Sequence, residues 1–265
     1  MKTKIIDIAN AKGGIGKTAG AVMLSRLFSI DFFKTLIISA DRQCNLDSSL
    51  GYNKNEDHLQ YNSTYGLMID DNLTIDECIR PTIFENIDII LSSYNLHEIE
   101  RIIYKREIND TNFIPELILK KKIDKMKSKY DFIIIDTGPK YDLLMKNSLA
   151  AANNILIPIN PDLYSQDVLV LLLRDIKFIK DNFNDSLKIN KIFINKYKNI
   201  SSHKKIYEDL RDIFGDQFAK TVIYDRTIIK NNIELDKNSF ISKSKESIEV
   251  IAQFRKLAKE SGLYE

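Results

Sequence analysis

Short apolar runs alternate with stretches of helical spacing along the chain. The run Ile5, Ile6, Ile8 and Ala9 is typical of a buried strand, and residues 19–28 that follow have apolar side chains at helical spacing. Because apolar runs without polar alternation indicate strands covered on both faces, the pattern predicts a three-layer α/β sandwich. Its sheet is expected to be twisted, mostly parallel and built from about seven or eight strands. The predicted strands are 5–9, 35–39, 86–91, 132–135, 154–159, 191–195 and 221–224.

Helical spacing recurs between these strands. The helix at 115–129 has an apolar stripe and a second face that is rich in lysine, which we expect to be solvated. Those lysines are Lys120, Lys121, Lys122, Lys125, Lys127 and Lys129. The polar stretch 51–64 is predicted to be an exposed loop, with His58 in solvent. The predicted helices are 19–28, 65–69, 74–79, 94–105, 115–129, 141–152, 166–183, 201–214 and 244–259.

Composition narrows the class of protein. The 265 residues contain no linker-like stretch, so residues 1–265 are predicted to form one domain. A net charge of +2 argues against a strongly basic DNA-packing protein. Cys44 and Cys78, without a nearby histidine, indicate reduced thiols rather than a zinc site or a disulfide framework. No apolar stretch approaches the roughly 20 residues that span a bilayer, which predicts a soluble cytoplasmic protein.

A glycine-rich turn joins the first strand to the first helix at residues 10–18. Glycines let the backbone approach an anion, and amides at a helix start attract it. In this context Lys17 is placed for the β- and γ-phosphates and Thr18 for Mg²⁺. A turn that merely connects a strand to a helix is the alternative, but glycines, Lys-Thr and flanking elements all favour a phosphate site.

Two carboxylates follow predicted strands. Asp41 comes after the second strand, and Asp136 directly follows four apolar residues. Carboxyl ends of parallel strands are where open α/β sheets bind ligands. One carboxylate, reached directly or through water, suits Mg²⁺, so Asp136 is a candidate metal ligand. Taken alone, Asp41 is explained equally well by a ligand site or by a solvated loop position, with a helix N-cap as one form of the latter.

The glycine-rich turn deviates from the standard phosphate-loop pattern, because Ala11 stands at the position of its first glycine. The string Lys12-Gly13-Gly14-x-Gly16-Lys17-Thr18 instead resembles the deviant Walker A motif of the ParA/MinD family of ATPases. The resemblance implies a P-loop NTPase fold that uses ATP and Mg²⁺, and a Lys12 that reaches the partner's nucleotide in an ATP-dependent homodimer. The implied nucleotide-binding residues are Gly13, Gly14, Ile15, Gly16, Lys17, Thr18 and Ala19.

The resemblance extends to other strand ends. Asp41, Gln43 and Asn45 match the family's second acidic motif, which implies that Asp41 orients the attacking water. Ser39 and Arg42 depart from that motif, and Gly138 replaces a proline after the Walker B-like strand. By the same resemblance, Thr18 and Asp136 hold Mg²⁺ and Asn195 contacts the adenine.

Within this family the sequence favours a ParA-type DNA-segregation ATPase. That reading implies non-specific binding to double-stranded DNA, a nucleoid location and hydrolysis stimulated by a ParB-like partner. Residues 190–260 contain 15 lysines and arginines against 10 acidic residues. Such a basic surface suits phosphate contacts, although any single lysine is as well explained by solvation. The candidate DNA contacts are Lys196, Lys198, Lys204, Lys205, Lys220, Arg226 and Lys230.

Two other functions remain open at this point. A MinD-like positioning regulator is disfavoured, because no amphipathic segment follows Gly262 and membrane binding is therefore not expected. A nucleotide-dependent scaffold with little hydrolysis remains possible if Ser39 and Arg42 disable turnover. ATPase measurements with DNA or with lipid would separate these functions.

Overall fold

A computed structural model describes residues 2–53, 60–162, 164–227, 229 and 245–263. Their strands form one seven-stranded sheet of order β3-β4-β2-β5-β1-β6-β7. All neighbouring pairs are parallel except β3 with β4. This confirms the predicted mostly parallel sheet. The strands are β1 Lys4–Ile8, β2 Thr35–Ala40, β3 Ile79–Pro81, β4 Ile87–Ile90, β5 Phe132–Thr137, β6 Asn154–Ile159 and β7 Ile189–Ile194.

Helices cover both faces of this sheet, as expected for three layers. Short 3-10 turns precede α5 and α6 and follow α9. No helix among the described residues has the length and apolar character needed to cross a membrane. The helices are α1 Lys17–Ile30, α2 Asn45–Ser49, α3 Thr64–Ile69, α4 Ile75–Cys78, α5 Ile99–Asn109, α6 Ile118–Asp124, α7 Leu143–Ala151, α8 Tyr164–Asn182, α9 Ser201–Phe214 and α10 Lys245–Glu260.

Successive side chains of each strand point to opposite faces of the sheet, so the hydrophobic core has one part on each face. Ile6 and Ile8 of β1 pack with α1 and α10 on one face. On the other face, α3 to α6 cover β2 and β5, whereas α7, α8 and α9 cover β6 and β7. Fully buried β2, β5 and β6 explain the uninterrupted apolar runs in the sequence.

The prediction of a strand at 221–224 was wrong. This segment forms one isolated bridge, between Tyr224 and Tyr197 beyond the end of β7, and Ile223 N–H donates to Ile194 O at 2.9 Å. The backbone N–H and hydroxyl of Thr221 instead donate to Glu260 of α10, at 3.2 and 2.7 Å. Because α10 binds these donors, the segment follows the sheet edge without forming a continuous ladder.

The predicted helix at 115–129 is shorter, and one lysine of its solvated face is buried. The helix α6 ends at Asp124, where Lys125 N–H bonds to Lys122 O. The Lys122 Nζ donates to the carbonyl oxygens of Asp70, Asp71 and Leu73, at 2.7, 3.0 and 2.5 Å. Lys122 therefore links α6 to the loop after α3 through buried hydrogen bonds. Its residue type alone does not predict this buried position.

Two short elements were not predicted. The edge strand β3 begins at Ile79, the last residue of the helix expected at 74–79, and it ends at Pro81, as suits an edge position. The helix α2 begins after Cys44, whose φ of 51° is left-handed. The predicted loop histidine His58 lies outside the described residues.

Candidate active site

The glycine-rich loop lies between the end of β1 and the start of α1. Gly14 and Gly16 adopt φ values of +68° and +93°, which side-chain-bearing residues rarely occupy. Gly16 is the N-cap of α1, so the first amides of the helix face the space above the loop. An anion there would meet unpaired N–H groups and the positive end of the helix dipole.

The end of β7 holds this loop from the side. Asn195 Nδ2 donates to Ile15 O at 2.7 Å, and Lys196 Nζ donates to Gly14 O. A Cβ on Gly16 would lie 2.1 Å from Asn195 Nδ2. Glycine is therefore required at position 16 both for its φ and for the approach of Asn195.

Lys17 lies at the first position of α1 and is buried. Its Nζ donates to Lys12 O at 3.4 Å, which keeps the ammonium group inside the loop. Burial lowers the pKa of Lys17, and the nearby carboxylates of Asp136 and Asp41 oppose that effect. This is the setting of a cation that neutralises phosphate charge in a site shielded from water.

Asp136 lies in β5, with its carboxylate completely buried. Neither of its oxygens makes a hydrogen bond of ordinary geometry to a described residue. Burial raises the pKa of Asp136 to about 7, against the lowering influence of the Thr18 hydroxyl and of Lys17. A buried carboxylate with free oxygens beside a threonine hydroxyl fits a hard cation such as Mg²⁺.

Asp41 follows β2, beside the residues that follow β5. The register pairs Ala40 with Thr137, which brings Gly138 close to Asp41. A Cβ on Gly138 would lie 3.4 Å from Asp41 Oδ1. The same Oδ1 accepts from Gln43 N–H at 3.0 Å. The carboxylate is thus fixed near Lys17 and Asp136 at one edge of the sheet.

Most of these groups line one cavity of about 880 Å³. Its walls include the glycine loop with Lys17 and Thr18, Asn195 beside that loop, and Asp41 and Arg226. This volume lies within the usual range for small-molecule sites. The glycine loop, Lys17 and Thr18 provide the anion-binding and metal-binding groups expected for phosphates, and the cavity has room for the rest of a ligand.

Lys12 lies beside the loop and contacts its own chain. Its Nζ lies 2.8 Å from both carboxylate oxygens of Asp162 and 3.2 Å from Ser165 Oγ. Burial alone would raise the pKa of Asp162, but the hydrogen bonds from Lys12 and Ser165 outweigh it and leave the pKa below its usual value. The Lys12 side chain is therefore held by Asp162, which follows β6, and by Ser165 at the start of α8.

Comparison with known proteins agrees with this architecture. A family described as an AAA domain matches residues 3–189. The sporulation initiation inhibitor protein Soj of Bacillus subtilis is 31% identical over 223 residues, which cover 83% of each chain. The chromosome-partitioning ATPase Soj of Treponema pallidum is 30% identical over 225 residues, which cover 83% of this chain and 82% of that one.

The chain belongs to the ParA/MinD family. Among solved structures, a plasmid partition protein from Borrelia burgdorferi is similar at a TM-score of 0.70 and 28% identity, covering 97% of this chain and 100% of that one. The ParA/MinD resemblance inferred from Lys12 to Thr18 is thus confirmed at the level of family and fold.

The predicted DNA contacts of this ParA/MinD protein do not form one group. Lys196 Nζ donates to a carbonyl of the glycine loop, and Lys198 Nζ lies 3.6 Å from Asp225 Oδ2. Arg226 lines the cavity described above, and its Nη2 lies 3.1 Å from Glu249 Oε2. Lys204 and Lys205 of α9 and Lys220 are exposed, and Lys230 lies outside the described residues.

Sequence reasoning missed several residues of the site. Asp162 follows β6, so the strand-end argument used for Asp41 and Asp136 would have found it. Lys196 was predicted only as a DNA contact, because its φ of 55° and its contact with Gly14 depend on the folded chain. Tyr224 also lines the cavity, although the segment was expected to be a strand.

Proposed function

We propose that this protein is a Mg²⁺-dependent ATPase that acts in DNA partition. The observation that carries the proposal is that the glycine loop, Lys17, Thr18 and Asp41 line one cavity, with the buried Asp136 carboxylate next to Lys17 and Thr18. The family supports it, since similar proteins are named as partition proteins and as a chromosome-partitioning ATPase. An ATP-bound homodimer would bind DNA without sequence preference, at the nucleoid, and a ParB-like partner would stimulate its hydrolysis.

The reaction would be transfer of the γ-phosphoryl group to water. Residues Gly13 to Thr18, with Ala19, would hold the phosphates through backbone amides, and Lys17 would offset their charge. Thr18 and Asp136 would hold Mg²⁺, which supplies further charge neutralisation. Asp41 would accept a hydrogen bond from the attacking water and orient it. Positioning and electrostatics account for most of the catalysis in this reaction class.

The base would occupy the part of the cavity away from Lys17. Asn195 lines the cavity and is the proposed adenine contact, and its amide nitrogen also donates to Ile15 O. The amide oxygen remains the group that would face the ligand. Asn195 therefore has two proposed roles, one toward the base and one toward the loop that binds the phosphates.

Lys12 would act between two chains. To reach a partner's nucleotide, its ammonium group must leave Asp162 and Ser165. An ion pair with a half-exposed carboxylate is weak enough for that exchange, because solvent screens it. Dimer formation would thus replace one anionic partner of Lys12 with another.

DNA binding would rest on the exposed cations near α9. Lys204 and Lys205 lie on its solvent face and Lys220 lies beyond its end, whereas Lys196 and Arg226 are engaged at the cavity. The proposed DNA surface is therefore centred on Lys204, Lys205 and Lys220. Contacts with phosphates would make the affinity fall steeply with salt.

A DNA-retention assay tests this function. Wild-type protein with Mg-ATP should be retained on non-specific double-stranded DNA at low salt, and released with ADP or by added salt. The double charge reversal Lys204→Glu with Lys205→Glu should reduce retention strongly. Lys105→Glu with Lys180→Glu, on exposed positions of α5 and α8, is the matched control. Retention that ignores nucleotide and salt, or that falls equally in both variants, would refute the proposal.

A further inference from the structure

A buried serine outside the cavity braces the loop that carries Asp41. Ser92 follows β4, the strand that pairs with β2, and its side chain is fully buried. Its hydroxyl donates to Asp41 O at 2.7 Å, and its N–H donates to Asp47 Oδ2 at 2.9 Å. One residue of a neighbouring strand end therefore holds both the first residue of the loop at 41–44 and the helix α2 that follows.

This brace complements weaker restraints within the loop itself. Cys44 N–H donates to Asp41 O at 2.9 Å, and Gln43 N–H donates to Asp41 Oδ1 at 3.0 Å. Cys44 also has a left-handed φ of 51°, which is strained for a residue with a side chain. The loop thus closes on itself through a strained turn, while Ser92 fixes where that turn lies relative to the sheet.

We propose that Ser92, acting with Asp47, is a positioning residue for the Asp41 carboxylate. The inference rests on the proposed function, because it assigns Ser92 to the placement of the water-orienting group. The Asp41 Cα is attached directly to the carbonyl that Ser92 holds, so loss of the hydroxyl frees the backbone from which the carboxylate projects. Misplacement of a catalytic group by about 1 Å can reduce a rate about 100-fold.

The phosphate-binding loop should not share this dependence. The contacts that hold it come from Asn195 and Lys196 at the end of β7, on the other side of the sheet centre. Removal of the Ser92 hydroxyl should therefore reduce kcat for ATP and leave the KM nearly unchanged. A purely structural role would instead lower the amount or the melting temperature of folded protein, with kcat per folded molecule preserved.

The neighbouring residue provides a matched control. Ser93 is also buried, and its hydroxyl accepts from Asn95 N–H at 3.2 Å at the start of a 3-10 turn. Ser93→Ala removes a buried hydroxyl one residue away but leaves the contacts to Asp41 and Asp47 in place. It should therefore retain the wild-type kcat, even if its melting temperature falls.

The test is Mg-ATP hydrolysis by full-length protein, with nucleotide affinity and melting temperature measured on the same samples. Ser92→Ala should lower kcat about 10- to 100-fold with unchanged nucleotide affinity, and Ser92→Thr should restore part of it. Asp47→Ala, which removes the acceptor of the Ser92 N–H, is a second variant if Ser92→Ala does not fold, and it should show the same selective loss. A Ser92→Ala or Asp47→Ala kcat equal to that of Ser93→Ala would overturn the proposal. Absence of hydrolysis by the wild type would instead refute the proposed function.

Discussion

Gly16 offers a quantitative test of how the glycine loop is built. Gly16→Ala introduces a Cβ at a φ of +93°, and that Cβ would lie 2.1 Å from Asn195 Nδ2. The left-handed backbone costs roughly 1–2 kcal/mol for a residue with a side chain. Displacing Asn195 sacrifices its hydrogen bond to Ile15, which contributes about 1 kcal/mol.

Together these terms amount to about 2–3 kcal/mol. The free loop can relax away from the strained geometry, whereas a loop wrapped around phosphate cannot, so most of the cost falls on binding. Mg-ATP affinity should therefore fall about 30- to 150-fold. Isothermal titration calorimetry with a non-hydrolysable ATP analogue measures the change directly.

A double-mutant cycle separates the two terms. In an Asn195→Ala background the new Cβ has no amide to displace, so Gly16→Ala should cost only the backbone term. The two substitutions should therefore couple by about 1 kcal/mol. Gly14→Ala is the control, because its φ is +68° but its Cβ would have nothing within 4 Å among the described residues.

Equal costs of Gly16→Ala in both backgrounds would refute this reasoning. Equal coupling of Asn195 to Gly14 and to Gly16 would refute it as well, because the contact that produces the coupling exists only at position 16.

Three further predictions concern other parts of the molecule. Lys122→Ala leaves three backbone carbonyls without their hydrogen-bond donor and should destabilise the fold by about 3 kcal/mol. In a thermal melt this corresponds to a fall in Tm of about 6–12 °C. The control variant Lys121→Ala, at an exposed position of the same helix, should leave Tm nearly unchanged. Burial raises the pKa of the Cys78 thiol to about 12, so the thiol should stay protonated and unreactive at pH 8. Treatment of the native protein with an alkylating reagent, followed by mass spectrometry, should therefore find Cys78 unmodified, and a modified Cys78 would contradict its buried placement. Lys12→Ala should bind Mg-ATP as a monomer but lose ATP-dependent dimerisation in light scattering; a dimer in the variant would remove Lys12 from the interface.

The layers of the fold could be predicted because they follow from local patterns. Apolar runs such as Phe132 to Ile135 are buried on both faces of the sheet, and the sequence contains that information directly. The glycine loop and Asp136 were also predictable, since each lies at a strand end and the ends of parallel strands meet at one edge.

The remaining features depend on contacts between distant residues. Lys122 is buried because carbonyls about 50 positions away accept its hydrogen bonds. The segment 221–224 is not a strand because Glu260 binds Thr221. Ser92 braces Asp41 across 51 positions. No periodicity or motif in the sequence specifies such pairs, so they emerge only from the folded chain.

The central claim is that Asp41 orients the water that attacks ATP bound by the glycine loop. Its most direct test is phosphate release from Mg-ATP by wild type and by Asp41→Ala, with nucleotide affinity measured on the same samples. We expect slow turnover by the wild type and none by Asp41→Ala, at unchanged affinity for Mg-ATP. Turnover at the wild-type rate in Asp41→Ala would contradict the proposed role of Asp41.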